Sequence, residues 1–394
     1  MIAKDKTNLI FVHKTIKAIA DSMVKVFVPL LIYQGCQNML FVMMYLSVLY
    51  FLSGILNIVL KKFLQKFGLV AIMLHAVPII VVQVLLNLSM TWWICLLMAI
   101  FMAFAQALYS VPINILFSLT DKNVNVAKFE IPTNVGKIIF ILLSGYVLSS
   151  SFTHSLLLMC IVSSGLYIAS TIPLFFSYKM IKQTYAQAAT APSNMDKRSY
   201  RFFNLYHFLF GVFQSVIDVI VPLFLYVEKL TFQSVAIVMA LIELCKIGAN
   251  LLAKLLVKKN LSILSVFLST GMAIASCVTM IFVKDPLLLY ICSCCIGVSF
   301  PLLFVPLFSL YVKKIAKDNN QFDGMTYRDF YILTFREVLF LPYYAFPNLL
   351  LQLVIGIVSS AGLAATAVRL IKTKEPPRIE NMETWASHQN QGED

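Results

Sequence analysis

Eight ionisable side chains stand inside long apolar stretches of this 394-residue chain: Asp21, Lys25, Lys137, Asp218, Glu243, Lys246, Arg336 and Glu337. A charge at hydrocarbon depth costs roughly 2.5–3.5 kcal/mol on insertion scales, so such residues are rare and mark ion or solute paths. Four acids set against four bases allow internal pairing, which keeps each charge from standing alone in low dielectric. Asp21 and Lys25 are one helical turn apart and can pair directly. Glu243, Lys246, Asn250 and Lys254 share one helical face. Glu243 is the first candidate to carry a coupling proton, with Asp218 beside it as an acid carrier or cation contact. Lys137 and Arg336 each follow an acid by seven residues, Glu130 and Asp329. Both are candidate clamps for an anionic group, arginine with the better fork geometry, and both can instead snorkel toward headgroups. Glu337 adjoins Arg336 but points about 100° away around a helix. Asn57, Asn250 and Gln106 add uncharged polar groups within apolar runs.

None of this resembles a catalytic centre. No His-rich or Ser/His/Asp constellation falls within helical reach, and the five His residues have no metal-ligand spacing. Cys292-Ser-Cys-Cys295 has no second cysteine pair, so its thiols read as small apolar packing groups. The expectation is a non-enzyme with no metal and no cofactor, a proton being the candidate coupling ion.

The elements that must position these groups follow from composition. Sixty per cent of the residues are apolar and 12% charged, against about a quarter charged in soluble domains. Twelve apolar runs are long enough to cross a bilayer: 16–33, 39–60, 69–89, 92–118, 131–150, 155–178, 204–227, 231–253, 262–283, 286–312, 329–346 and 348–371. In lipid each run must satisfy its own backbone, so the fold class is all-α. With entry near Ile16, Lys25 lies about 14 Å deep, close to the midplane. Pro29, Pro112, Pro222, Pro306 and Pro342 are expected to kink helices, and Gly54, Gly145 and Gly248 to permit close helix contact.

The net charge of +13 invites a nucleic-acid partner, but its distribution argues against one. All but six of the 31 Lys and Arg fall at the N-terminus, in the even-to-odd loops or in the tail. Only Lys229 and Lys284 lie in the other loops, while Lys25, Lys137, Lys246 and Arg336 are inside runs. That asymmetry puts both termini in the cytoplasm.

The chain is also written twice. Asp21–Tyr33 recurs, lightly edited, as Gln214–Tyr226 at an offset of 193 residues, which sets Lys25 against Asp218 and Asn57 against Asn250. If the halves are true repeats, Lys25 and Asp218 can meet across a central cavity. The division is an N-terminal six-helix bundle at 1–180, a linker at 181–202, a C-terminal six-helix bundle at 203–372 and a disordered tail at 373–394.

Two six-helix halves around an interior loop resemble the major facilitator superfamily of secondary transporters. The resemblance is architectural over 1–372 and weaker in motif. Where that superfamily carries G-x-x-x-D-R-x-G-R, this chain has Lys61-Lys-Phe-Leu-Gln65-Lys66-Phe67-Gly68, with Gln65 in the Asp place. Helix four offers Gln106, Ser110 and Asn114 but lacks the Arg of the proton-coupled drug exporters. The resemblance implies a monomeric secondary transporter moving a small polar or charged organic solute by alternating access, with membrane lipids as its other partners. A bacterial inner membrane is the simplest location. A lysolipid flippase of the same fold, and a non-transporting scaffold or receptor, are the alternatives.

Overall fold

Apolar runs that must satisfy their own backbone in lipid coil, and every regular element among the described residues is helical. The computed structural model describes residues 4–119, 126–150, 154–190, 200–228, 230–283, 285–318 and 321–372. The N-terminal half comprises α1 (Lys4–Val24) and α2 (Val28–Cys36), which form one broken pass, then α3 (Met39–Val59). After these come α4 (Lys61–Leu74) with α5 (Ala76–Leu85), α6 (Trp92–Leu119), α7 (Val126–Ser149) and α8 (Ser155–Thr190). The C-terminal half begins with α9 (Arg201–Ser215), a π-helical turn (Val216–Ile220) and α10 (Val221–Val227). It continues through α11 (Phe232–Lys258), α12 (Ser262–Phe282) and α13 (Pro286–Lys317). The eleventh pass is α14 (Gln321–Thr334), α15 (Glu337–Phe340) and α16 (Pro342–Ala345), and α17 (Leu349–Lys372) is the twelfth. Among the described residues nine helices are individually long and apolar enough to span a membrane, and α4 with α5 forms a tenth, bent by 44°. The first and eleventh passes fall short because they are broken and carry charge.

Their breaks explain how the charges are placed. Pro29 and Pro222 are repeat-related and each lies four residues after a charge, Lys25 and Asp218. A proline has no N–H for the carbonyl four residues back, and its ring crowds that carbonyl. The first pass accordingly loses its helix at Lys25–Phe27. The seventh absorbs the same defect as the π turn that contains Asp218. Arg336 stands in a third interruption, the turn between α14 and α15, where its N–H reaches only to Leu333 O at 3.2 Å.

Three helices run further than the apolar runs indicate. α1 starts at Lys4, so Lys14 and Lys17 lie within it; α14 starts at Gln321, which puts Arg328 and Asp329 well inside the eleventh pass. α8 continues to Thr190, into the expected linker. There the Tyr185 hydroxyl donates to Leu64 O (2.7 Å), and the Gln65 amide donates to Ala189 O (3.4 Å). Residues 191–199 of that linker, and the tail at 373–394, lie outside the described residues.

The halves meet along α7 with α11 and along α3 with α14, with further contacts of α6 with α14 and α2 with α10. Gly145 and Gly54 set the two main seams: a side chain at Gly145 would collide with Ala236, and one at Gly54 with Thr334. Gly248, expected to act likewise, faces open space, because the neighbouring helix does not approach it. At the end away from the termini, repeat-related Tyr33 and Tyr226 meet edge to face with centroids 6.2 Å apart.

Candidate functional site

A cavity of about 570 Å³ lies between the halves. Nine of the expected residues line it: Asp21, Lys25, Gln106, Lys137, Asp218, Glu243, Lys246, Asn250 and Arg336. They reach it from both bundles, Asp21 to Lys137 from the first half and Asp218 to Arg336 from the second.

Glu243 is the clearest inter-half junction. Its carboxylate takes Lys246 of its own helix at 2.7 Å and Lys137 of α7 at 3.5 Å, so two ammonium groups bracket one acid. The Glu243–Lys246 pair expected from their shared helical face is present, and Lys137 adds a second base from across the cavity. Asp21 departs from expectation. It pairs with Lys17 at 2.5 Å and accepts from the Tyr167 hydroxyl at 2.5 Å, rather than pairing with Lys25. The cause is the break in the first pass. Lys17 and Asp21 share an intact turn of α1, whereas Lys25 has left the helix.

Lys25 and Asp218 share the cavity as the repeat suggested. Among the described residues they make no ion pair within 4.0 Å. Arg336, 6% exposed, places its guanidinium over the Tyr50 ring at 4.8 Å, and its Nε has no hydrogen-bond partner. Asp329 does not serve it. That carboxylate takes the Arg328 guanidinium at 3.0 Å and the Asn114 amide of α6 at 3.0 Å, a contact between halves. The matching side chain of Glu130 lies outside the described set.

Two expected residues do not line the cavity. Asn57 is fully buried in the first half, where it accepts from the Ser110 hydroxyl at 3.3 Å; the inward face of α3 presents Tyr45, Leu49 and Tyr50 instead. Glu337 is half-buried and opens α15 one residue past the turn, pointing away from the face that carries Arg336.

Lys14 and Lys17, which fall by spacing on one helical stripe with Asp21 and Lys25, also line the cavity, as do aromatic walls that the sequence reading did not single out. Lys17 lies in the cation–π range of Tyr109 (4.2 Å) and Lys246 in that of Phe300 (5.5 Å). Phe300 and Phe304 stand nearly parallel, 14° apart with centroids at 5.7 Å. The spacing of Lys17 with Asp21 was a usable signal. The aromatics gave none, since Phe and Tyr are equally at home facing lipid.

Beyond the cavity the termini-side end is closed by polar contacts between halves. Lys61, at the start of α4, meets Asp323 of α14 at 2.8 Å, and Asn114 meets Asp329 as above. The Lys61–Asp323 pair places the base in the first half and the acid in the second, its base at the start of the stretch where Gln65 replaces the motif's Asp. Behind Asp21, the buried rings of His13 and His75 pack against Tyr109, with centroids 5.7 and 4.6 Å away. Among the described residues no group of three or more His, Cys, Asp or Glu could hold a metal ion.

The fold has solved counterparts. A bacterial homologue of the iron transporter ferroportin, in its outward-facing state with soaked iron, superposes with a TM-score of 0.66 at 10% identity, covering 94% of this chain and 99% of that one. A nucleoside transporter gives 0.62 at 12% identity, covering 94% and 100%. The fucose:proton symporter of E. coli, as a single-residue variant, gives 0.55 at 13% identity, covering 93% and 98%. At these identities the likeness concerns the fold. Among curated protein sequences none matches significantly. The Major Facilitator Superfamily model matches residues 15–322. With twelve helical passes in two six-helix halves around a charged cavity, and that match over most of its length, the chain is an integral multi-pass membrane protein belonging to the Major Facilitator Superfamily.

Proposed function

We propose that this protein moves a small charged organic solute across the membrane by alternating access, the two halves rocking about the cavity between them. The observation that carries this reading is the lining itself, in which six bases and three acids among the described residues converge from both bundles on one cavity. Charges buried at such depth are unfavourable unless they serve a path or a ligand. The Glu243 junction ties Lys137 of one half to Lys246 of the other, so a solute that draws on either base loosens a contact between the halves. Binding would thereby be linked to rocking, as alternating access requires.

The coupling ion we assign is a proton, carried by Asp218. Asp21 and Glu243 are each held by a lysine at 2.5 and 2.7 Å, which leaves Asp218 as the cavity carboxylate without an ion pair among the described residues. That moves the role from Glu243, the first candidate on sequence grounds. We further propose a monomer that works with no resident cofactor, since the cavity draws its charged groups from both halves of one chain. The excess of Lys and Arg on the termini side supports cytoplasmic termini, and a bacterial cytoplasmic membrane is the setting we assign.

The test is electrical. Protein reconstituted on a solid-supported membrane is exposed in turn to a library of charged organic solutes, and transient currents are recorded. At least one solute should give a saturable current that Lys246→Gln and Arg336→Gln each abolish. A scaffold that keeps the fold without transporting gives no saturable current with any solute.

A further inference from the structure

The cavity is not electrically balanced. Among the described lining residues, Lys17, Lys25, Lys137, Lys246 and Arg336 stand against Asp21, Asp218 and Glu243, an excess of two positive charges even without Lys14, a further lining base. Clustered like charges in a low-dielectric space repel, and the arrangement is relieved when something negative enters. A bare metal cation or an organic ammonium would add to the repulsion.

The excess is also unevenly committed. Lys17 is held by Asp21, and Lys137 and Lys246 share Glu243. Lys25 and Arg336 make no ion pair among the described residues, although both face the cavity. Arg336 is buried and keeps an Nε–H with no hydrogen-bond partner. A carboxylate can take a guanidinium in the planar two-bond geometry that arginine favours.

The walls describe the rest of the ligand. Arg336 lies over Tyr50 and Lys246 near Phe300, so these cationic heads stand beside flat aromatic faces. Phe300 and Phe304 add two nearly parallel rings. A planar apolar body can lie against such faces while its anionic group reaches the bases. The volume, about 570 Å³, falls within the 300–1,000 Å³ usual for small-molecule sites.

We infer that the substrate is an organic anion of the aromatic-carboxylate type, its acidic group held between Arg336 and Lys25 and its ring against the Phe300–Phe304 wall. This deepens the transport reading and rests on it for passage across the membrane, though not for binding.

The experiment measures binding and counterflow separately with the same probes. Benzoate, benzylamine, benzyl alcohol, acetate, sulfate and oleoyl lysophosphatidate are each titrated against the detergent-purified full chain by calorimetry. Benzoate should bind, with acetate at least tenfold weaker and benzylamine and benzyl alcohol silent. Arg336→Gln and Lys25→Gln, checked for a single gel-filtration peak, should each weaken benzoate binding at least tenfold, and Arg336→Lys should recover part of the loss. If a variant fails to fold, saturation-transfer NMR on the unaltered protein should show the benzoate ring in contact and benzylamine absent. The inference is overturned if no probe binds, if benzylamine or benzyl alcohol binds as tightly as benzoate, or if both glutamine variants bind benzoate normally. Sulfate or acetate matching benzoate would overturn the aromatic part. Binding of the lysophosphatidate alone would overturn it in favour of a lipid. Benzoate bound but never exchanged in proteoliposome counterflow would contradict transport and leave the anion site standing. Counterflow of only a cation or a neutral solute would do the reverse.

Discussion

Three cavity charges, Lys25, Asp218 and Arg336, sit at interruptions of their helices. Two of these interruptions follow from a proline four residues later, a signal present in the sequence. That Lys25 and Asp218 come to one cavity was therefore legible. The partner of Asp21 was not, because choosing between Lys17 and Lys25 required knowing that the helix fails at Lys25. Likewise nothing in spacing could bring Lys137 to Glu243, since that contact exists only once two bundles dock. The Glu243 junction makes a direct prediction at this scale. Glu243→Gln leaves two ammonium groups facing each other, and breaking such a buried pair is expected to destabilise by roughly 3 kcal/mol. A thermal melt should show a marked fall in midpoint, partly reversed in Glu243→Gln/Lys246→Met. A double variant less stable than the single one would remove the junction from the account. The proton assignment is checked separately. Asp218→Asn should keep solute exchange between equal pools but lose net uptake driven by an inward pH gradient, and undiminished gradient-driven uptake would contradict it.

Helices meeting across the halves are the parts that must separate during transport. Gly145 lies on the α7–α11 seam toward the end away from the termini, and Gly54 on the α3–α14 seam toward the termini. A bulky side chain at either acts as a wedge. Labelling of Ser22→Cys, a cavity position, by an impermeant maleimide in a background without the eight native cysteines should report the result. Gly145→Leu is expected to raise labelling from the side opposite the termini, and Gly54→Leu from the termini side. Equal effects on one side would contradict the seams' separate roles. The Lys61–Asp323 pair should behave as a latch at the termini-side end. Both partners are partly exposed, so its contribution is about 0.5–1 kcal/mol. Asp323→Lys should raise labelling from that side about two- to five-fold, and the charge exchange Lys61→Asp/Asp323→Lys should return it to baseline. Element identity was fully legible from hydropathy, whereas the ends of α1, α8 and α14 were not. Their extra turns are amphipathic or polar and pack against protein, so they carry no lipid-length apolar signal.

At the scale of the molecule, the internal repeat identified two bundles, and the cavity lies where their shared interface encloses charge. What the repeat could not give was the sign of that charge. Lys14 counts toward it only because α1 begins well before its apolar stretch. The central claim is that the halves rock about this cavity, opening one end as the other closes. Spin labels at exposed positions test it without any ligand: Lys62 with Lys317 at the termini-side end, and Gln37 with Thr231 at the other. Double electron–electron resonance on each pair, in the Gly54→Leu and Gly145→Leu backgrounds, measures the two openings independently. The expected result is opposite movement, the termini-side distance lengthening and the far distance shortening with Gly54→Leu, and the converse with Gly145→Leu. Distances that stay single and unchanged in both backgrounds, or that lengthen together, would contradict a rocking transporter.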